Sequence, residues 1–404
     1  MSQTARQKHS LWQGLLSLAA LALGLVLGLL VPQFFDPIAF LGETYVRLLK
    51  LLVIPLLMAQ VSVGVFRSAG RFAGRLARTV LLFIAMFLVS YCLMAALVSL
   101  TGPGRGVDLF GDAWDGELAA MSLSEFFAAV IPDNLFAAMS SGSLLPCILV
   151  SFALGIAAAS VKAKRAMAVV EEFGAVFSRL LDYVMWLTPV GVFSLIGSAA
   201  AGYGSALAGA ALRYILYAWG GCLMIFLLVM VIPVWIGAGI GPWTFIRRVG
   251  RVWLVSLSTC SSAATLPHTT RVCRDEFGVP DDVTELVVPL GCTINMCGGA
   301  VSFCLLGLFT MQMAALPVTG GQFVYMLLLA LLMNMAAPGI PGGGIVLGAT
   351  YLTLLGAPTG FIGLYSGMYR LLDMIYTTMN VTGDIAANCL LAAGENRRAK
   401  RRGA

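Results

Sequence analysis

Hydrophobic runs of about 20 residues recur along almost the whole chain, and they constrain its fold more than any other feature. A helix of about 20 apolar residues spans a hydrocarbon core about 30 Å thick. Only 11% of the 404 residues are charged, against about a quarter in a soluble globular domain. The sequence therefore predicts an all-α polytopic membrane protein without a separate soluble domain.

Clusters of basic residues between these runs predict the topology. Lysine and arginine accumulate in cytoplasmic loops. Such clusters lie at residues 67–78, 162–165, 247–251 and 397–402, whereas residues 102–143 contain six acidic residues and one arginine. We therefore expect a multi-pass protein of the cell membrane with both termini in the cytoplasm. The net charge of +6 is interpreted as this topology signal and not as a nucleic-acid surface.

Breaks in the hydrophobic runs predict two re-entrant helical hairpins. Residues 253–271 combine two short arms with a serine and threonine cluster, and residues 338–344 contain four glycines and two prolines, which forbid a continuous helix. Irregular backbone at membrane depth is tolerated only where protein or a wet cavity satisfies it. The pattern predicts eight transmembrane helices plus two hairpins, with inverted repeats around a midplane site. The third span is expected at 79–100, and the fifth is expected to be interrupted at 189–191.

A polar face in the last hydrophobic run marks the candidate site. Asp373, Thr377, Asn380 and Asp384 recur at intervals of four, three and four residues, so a helical period places them on one face. Ionisable side chains at membrane depth are costly and normally face a polar cavity. The alternative is that both aspartates only hold neighbouring helices together.

The nine cysteines do not predict a disulfide framework or a metal centre. Their number is odd, and most lie within apolar segments, where cysteine behaves as a small apolar residue. Cys292 and Cys297 have no nearby set of histidines that would complete a metal site. No cofactor is expected.

Four motifs in order resemble the dicarboxylate/amino acid:cation symporters, the fold of the glutamate transporters. They are Ser-Ser-Ala-Ala-Thr-Leu-Pro at 261–267, Pro-Leu-Gly-Cys-Thr-Ile-Asn-Met at 289–296, Gly-Ile-Pro-Gly-Gly-Gly at 339–344 and Asn-Val-Thr-Gly-Asp at 380–384. The resemblance covers nearly the full chain. It implies a homotrimer in which a transport domain slides, like an elevator, against a fixed scaffold.

The resemblance also divides the chain. It implies scaffold spans one and two at residues 1–66 and span three of the transport domain at 67–101. The outer loop with scaffold spans four and five follows at 102–206, the rest of the transport domain at 207–396 and a basic cytoplasmic tail at 397–404. The two hairpins would act as gates.

Carried over by position, the resemblance assigns roles to individual residues. Asp373 would hold the amino group of an amino acid substrate, while Ser261 and Ser262 at the first hairpin tip would meet its α-carboxylate. The remaining substrate-binding positions are Tyr376, Thr377 and Asn380, with Gly339, Ile340, Pro341 and Gly342 as the outer gate. The coupling ion, expected to be sodium, would bind the Asp384 side chain and mainly backbone oxygens of Cys292, Asn295 and Asn380, because hard cations prefer oxygen ligands.

One departure from the family concerns the substrate. Members that carry acidic amino acids have an arginine where this chain has Tyr376, so a side-chain carboxylate would lack its bidentate partner. We therefore expect symport of a small neutral amino acid. Symport of an acidic amino acid or a C4-dicarboxylate is the alternative, and Arg370 is considered as a substitute source of positive charge.

The other departure concerns the coupling ion. The usual Asn-Met-Asp-Gly-Thr of the family reads Asn-Met-Cys-Gly-Gly at 295–299, and the third span offers Phe83, Met86 and Phe87 where hydroxyls are expected. A neutral thiol and apolar groups are poor sodium ligands. One sodium site is expected to be lost, and proton coupling stays open.

Three other interpretations remain at this point. His268 with Ser261 and Asp373 could be arranged on paper as a hydrolytic triad, although a triad is defined by geometry and we expect no enzyme activity. Tyr376 could be a packing aromatic. The chain could also be a channel-like or sensing protein without coupled transport.

Overall fold

The structure is a computed structural model in which every described regular element is a helix. The described residues are 16, 19–68, 73–107, 131–141, 144–203, 205–335 and 343–402. Along the amino-terminal half the helices are α1 (Ala19–Leu30), α2 (Ala39–Ser68), α3 (Ala73–Thr101), α4 (Leu135–Ser140), α5 (Leu144–Ser160), α6 (Lys164–Met185) and α7 (Thr188–Tyr203). The short 3₁₀ turns Pro32–Phe34 and Asp36–Ile38 join α1 to α2.

The carboxy-terminal half contains the predicted hairpins. Its helices are α8 (Ser205–Ile225), α9 (Ile232–Ala238), α10 (Pro242–Thr259), α11 (Ser262–Arg271), α12 (Asp281–Ile294), α13 (Cys297–Met313), α14 (Gly320–Met335), α15 (Gly343–Leu354) and α16 (Phe361–Arg402). π-Helical turns follow α8 at Phe226–Val231 and α11 at Val272–Glu276. The first hairpin is formed by α10 and α11, which pack against each other; α14 and α15 are the arms predicted for the second, whose connecting segment lies outside the described residues.

One predicted boundary was wrong. The described part of helix α3 extends from Ala73 to Thr101, so it includes the whole of the span expected at 79–100. The fifth span breaks between α6 and α7 and not at 189–191, with a bend of 56°. Pro189 lies instead in the first turn of α7, where the N–H that proline lacks has no helical partner to lose.

Four helical segments of the described chain are long and apolar enough to cross a membrane, and the bent pair α6–α7 would make a fifth. The four segments are Pro32–Arg67, Gly74–Thr101, Gly209–Ala238 and Asp281–Met313. These apolar helices are consistent with a multi-pass membrane protein. The predicted count of eight spans stays a prediction.

The start of α16 is fixed by an aromatic cluster. The ring centroid of Tyr214 on α8 lies 5.2 Å from that of Phe309 on α13 and 5.3 Å from that of Phe361 on α16. Rings at these separations add packing energy beyond the apolar area they bury. The cluster therefore anchors α16 between α8 and α13, and residues 375–389 of α16 are buried without exception.

Arg75 joins three helices at one end of the molecule. Its Nε and Nη2 donate to the two carboxylate oxygens of Glu395 on α16 at 2.7 and 2.8 Å, and its Nη1 donates to Asp282 on α12 at 2.9 Å. The Arg75 side chain is only 15% exposed and that of Glu395 22%. A two-pronged arginine pair of this kind is stronger than an exposed ion pair.

We expect Arg75→Ala to lower the free energy of unfolding by about 1–3 kcal/mol, because the partly buried Glu395 carboxylate loses its two-pronged partner and keeps only the longer contact with Arg78 at 3.8 Å. Thermal unfolding of the detergent-purified protein measures the effect. Arg47→Ala is the matched control, since the side chains of Arg47 and Glu43 are 81% and 66% exposed. Equal changes in the two variants would contradict the prediction.

Candidate functional site

The predicted polar face of α16 is buried. Asp373, Thr377, Asn380 and Asp384 are 6%, 4%, 9% and 2% exposed. The Thr377 hydroxyl donates to Asp373 Oδ1 over 3.2 Å, one helical turn away. The face thus contains two carboxylates, which belong to two separate polar centres.

The first centre is a cavity enclosed by both hairpins, the α12–α13 break and α16. It is lined by Cys260, Ser262, Met296, Gly299, Ser302, Phe303, Asn334, Gly344, Leu347, Tyr369, Asp373, Tyr376, Thr377 and Asn380. Five of the predicted substrate-binding residues therefore meet in one place. Asp373 is the one charged residue in this described lining.

The tip of the first hairpin presents a helix N-terminus at the cavity. Cys260 has a left-handed backbone (φ +51°), which reverses the chain between α10 and α11. The Ser261 side chain caps α11 by accepting from the Ala264 N–H at 3.2 Å, whereas Ser262 lines the cavity. Backbone N–H groups in the first turn of a helix attract anions, so this tip can receive a carboxylate.

A second polar face of α16, which sequence reasoning missed, holds the first hairpin in place. Thr378 shares a 2.9 Å hydrogen bond with Ser256, and Thr382 accepts from the indole of Trp253 at 2.9 Å. The Arg370 guanidinium donates to the Ser258 carbonyl at 2.9 Å, two residues before the tip. Arg370 is not among the residues that line the cavity.

The second centre surrounds Asp384. Asn295, at the end of α12, donates from Nδ2 to Asp384 Oδ1 at 3.0 Å, and the Cys297 thiol donates to Asn295 Oδ1 at 3.5 Å. Asn380 Oδ1 accepts from the Gly298 N–H at 2.8 Å. A Cβ at Gly291 would overlap the Asp384 carboxylate. The Asp384 carboxylate and the side-chain oxygens of Asn295 and Asn380 are ligands of the type that hard cations prefer.

The sulfur atoms do not form a metal centre in the described chain. No group of three or more histidine, cysteine, aspartate or glutamate residues that could hold a metal ion occurs there. Cys292 and Cys297 are 7% and 0% exposed. The role of the Cys292 backbone in a cation site stays a prediction.

Two other predictions concerned the outer gate and a hydrolytic triad. Gly339, Ile340, Pro341 and Gly342 lie outside the described residues. His268 is seven residues beyond Ser261 on the same helix, which corresponds to about 10 Å of helical rise. No triad of Ser261, His268 and Asp373 is therefore formed.

Several cavity residues were missed by sequence reasoning. Ser302 shares a 3.0 Å hydrogen bond with Tyr365, and a Cβ at Gly344 would overlap the Tyr369 hydroxyl. Asn334 on α14 is 1% exposed. A lone asparagine within a hydrophobic run was the signal that could have identified Asn334.

The sequence model of the sodium:dicarboxylate symporter family matches residues 14–393. A proton/sodium-glutamate symport protein of Bacillus subtilis is 28% identical, over 92% of this chain and 91% of the relative. A C4-dicarboxylate transport protein of Solibacter usitatus is 28% identical, over 93% and 90%. A proton/glutamate-aspartate symporter of Escherichia coli is 25% identical, over 94% and 92%.

Close backbone approach at Gly298 generates a testable prediction. A Cβ at residue 298 would overlap the backbone carbonyl of Tyr376, which cannot move without shifting α16. We expect Gly298→Ala to destabilise the protein by about 1–3 kcal/mol, measured by thermal unfolding. Gly250→Ala on α10 is the control, because a Cβ there meets no atom within 4 Å. A stable Gly298→Ala protein would contradict the close approach.

Proposed function

This chain belongs to the sodium:dicarboxylate symporter family, and from this membership we propose that it is a cation-coupled symporter for a small solute that carries a carboxylate. The resemblance predicted from the four motifs is thereby confirmed. The family consists of transporters and not of enzymes, which agrees with the prediction that this chain is not an enzyme.

The names of the relatives support an acidic substrate better than the neutral amino acid expected from Tyr376. They refer to glutamate, aspartate and C4-dicarboxylates. Our first candidate is therefore an acidic amino acid. The observation that carries the proposal is the meeting of the Asp373 carboxylate with the N-terminus of α11 in one cavity. An ammonium group would satisfy the carboxylate, and an α-carboxylate would bind the helix N-terminus.

The Asp373 carboxylate favours acidic amino acids over C4-dicarboxylates as substrates. A C4-dicarboxylate has no ammonium group, so its binding would leave the buried Asp373 carboxylate beside further negative charge. The ammonium group of an amino acid would instead place a positive charge beside Asp373. We therefore place acidic amino acids before C4-dicarboxylates.

A neutral amino acid is the second candidate, and one specific observation favours it. Tyr376 lines the cavity, Arg370 is bound to the Ser258 carbonyl, and the described lining contains no cationic side chain. A second carboxylate in the cavity would rely on neutral hydrogen-bond donors alone. This costs more than placing a neutral side chain there.

The coupling ion is proposed to bind at Asp384. Sodium is the first choice because a carboxylate oxygen is a ligand that hard cations prefer, and a proton is the alternative because it occurs in the names of relatives such as those of Bacillus subtilis and Escherichia coli. Cys297 replaces the carboxylate of the family pattern, while Phe83, Met86 and Phe87 are buried in the apolar core. We therefore propose fewer coupled sodium ions than the full family pattern would hold.

The finer architecture is part of the same proposal. We infer eight spans, two gating hairpins, an elevator movement of the transport domain, a homotrimer and cytoplasmic termini. The basic clusters at 67–78, 162–165, 247–251 and 397–402 support the orientation. The break at the Cys260 tip and the helix interruption at 295–296 support hairpin gating around a midplane site.

The first functional prediction concerns Asp373. Proteoliposomes under an inward sodium gradient should accumulate L-aspartate or L-glutamate, and Asp373→Asn should abolish this uptake, because the substrate ammonium loses its counter-charge. Asp182→Asn on the exposed face of α6 is the control and should leave uptake unchanged. Serine or alanine uptake without aspartate or glutamate uptake would favour the second candidate. Uptake of none of these amino acids, nor of succinate, would refute the proposed function.

The second functional prediction concerns Asp384. Sodium should raise the thermal stability of the purified protein relative to potassium at equal ionic strength, and Asp384→Asn should remove this increase. The asparagine can still accept the hydrogen bond from Asn295, so the packing is preserved while the charge is lost. Asp182→Asn again serves as the control. An undiminished response to sodium in Asp384→Asn would exclude this centre as the cation site.

A further inference from the structure

Asn334 is a cavity residue whose polar side chain has no task in the two centres described above. It lies in the last turn of α14 and is 1% exposed. Neither Nδ2 nor Oδ1 has a hydrogen-bond partner among the residues that the structure describes, and the side chain lines the cavity. An unsatisfied buried carboxamide costs free energy in the ligand-free protein. Its donor and acceptor are available to a ligand.

Gly299 makes room for this carboxamide. Gly299 lies in the first turn of α13 and lines the same cavity. A Cβ at residue 299 would overlap Asn334 Oδ1. The asparagine therefore fits only because residue 299 has no side chain, and the two positions are sterically coupled although 35 residues separate them.

Tyr376 adds a second unsatisfied group to this part of the cavity. Tyr376 is 3% exposed, and its hydroxyl, whose polar neighbour is the Tyr214 hydroxyl on α8, meets the distance and angle of a hydrogen bond with no group of the described chain. The carboxamide and the phenol together offer donors and acceptors but no charge. This neutral wall contrasts with the Asp373 carboxylate elsewhere in the cavity.

We infer that Asn334, accommodated by Gly299 and joined by Tyr376, forms a neutral subsite that recognises the terminal carbonyl oxygen of the substrate side chain. Asn334 is the specificity-determining residue of this subsite. The inference rests on the proposed function and extends it. A side-chain carboxylate and a side-chain carboxamide both carry such an oxygen, which can accept from Asn334 Nδ2 and from the Tyr376 hydroxyl.

The two side-chain types would use the subsite differently. A carboxamide also donates, so it can satisfy Asn334 Oδ1, whereas a carboxylate can only accept. A substrate such as alanine reaches neither group. The subsite therefore predicts a preference for substrates with a terminal carbonyl over alanine, in place of the ion pair that an arginine would provide.

The test compares apparent affinities of the purified full-length protein for L-aspartate, L-asparagine and L-alanine, measured by competition in proteoliposome uptake. Of L-aspartate and L-asparagine, the one that binds more tightly should lose about tenfold in apparent affinity in Asn334→Ala, which is the usual effect of one or two lost hydrogen bonds. The affinity for alanine should change by less than about threefold. Gln322→Ala, in the first turn of the same helix, removes a side chain that bonds to Thr319 and does not line the cavity; it is the control and should leave all three affinities unchanged.

A double variant tests the steric coupling. Gly299→Ala should lower the apparent affinity for all three substrates, because the methyl group of the new alanine displaces the Asn334 side chain across the cavity. Gly299→Ala with Asn334→Ala should restore alanine binding without restoring the preference for a terminal carbonyl. Failure of the double variant to recover alanine binding would overturn the coupling.

The remaining outcomes separate this inference from the proposed function. Equal losses for all three amino acids in Asn334→Ala would show that Asn334 only supports the structure, and would overturn the subsite while transport stands. A wild type that binds alanine as tightly as aspartate and asparagine would also overturn it. A wild type that takes up none of these amino acids and no succinate would refute the proposed function itself.

Discussion

The buried carboxylates of α16 constrain the rest of the structure. A charge at membrane depth must find its partners within the protein, and each of the two aspartates meets this requirement differently. Asp384 accepts from Asn295 across the α12–α13 break, whereas Asp373 accepts from Thr377 on its own helix and faces a cavity. The interrupted helices around α16 follow from this need, because only irregular backbone can bring amides and helix ends to the acids.

Three glycines, which have no side chain, allow the close contacts on which both polar centres depend. Gly291 leaves room for the Asp384 carboxylate, Gly298 for the backbone of α16 and Gly299 for the Asn334 carboxamide. All three belong to the segment around the α12–α13 break. A close-packed interior allows such approaches only where a Cβ is absent. The break therefore serves both polar centres at once.

The charges in the cavity limit the choice of substrate. In the proposed function, Asp373 binds the ammonium group of the substrate and the tip of the first hairpin binds its carboxylate. The proposed subsite of Asn334 and Tyr376 would then distinguish one amino acid from another. Neutral donors discriminate by hydrogen-bond geometry, whereas an arginine would select charge. This difference explains why the family relationship alone leaves the preferred side chain open.

The sequence by itself determined the helical membrane class, the two interrupted segments and the face with Asp373, Thr377, Asn380 and Asp384. These features arise from hydrophobic runs, helix breakers and periodicity, which act within one or two helical turns. Only the tertiary structure decided that Arg370 binds the Ser258 carbonyl and that Asn334 fits against Gly299. It also placed the bend before α7 and the ion pairs of Arg75. Such contacts join residues far apart in the chain, and they depend on which helices pack together and how closely their backbones approach.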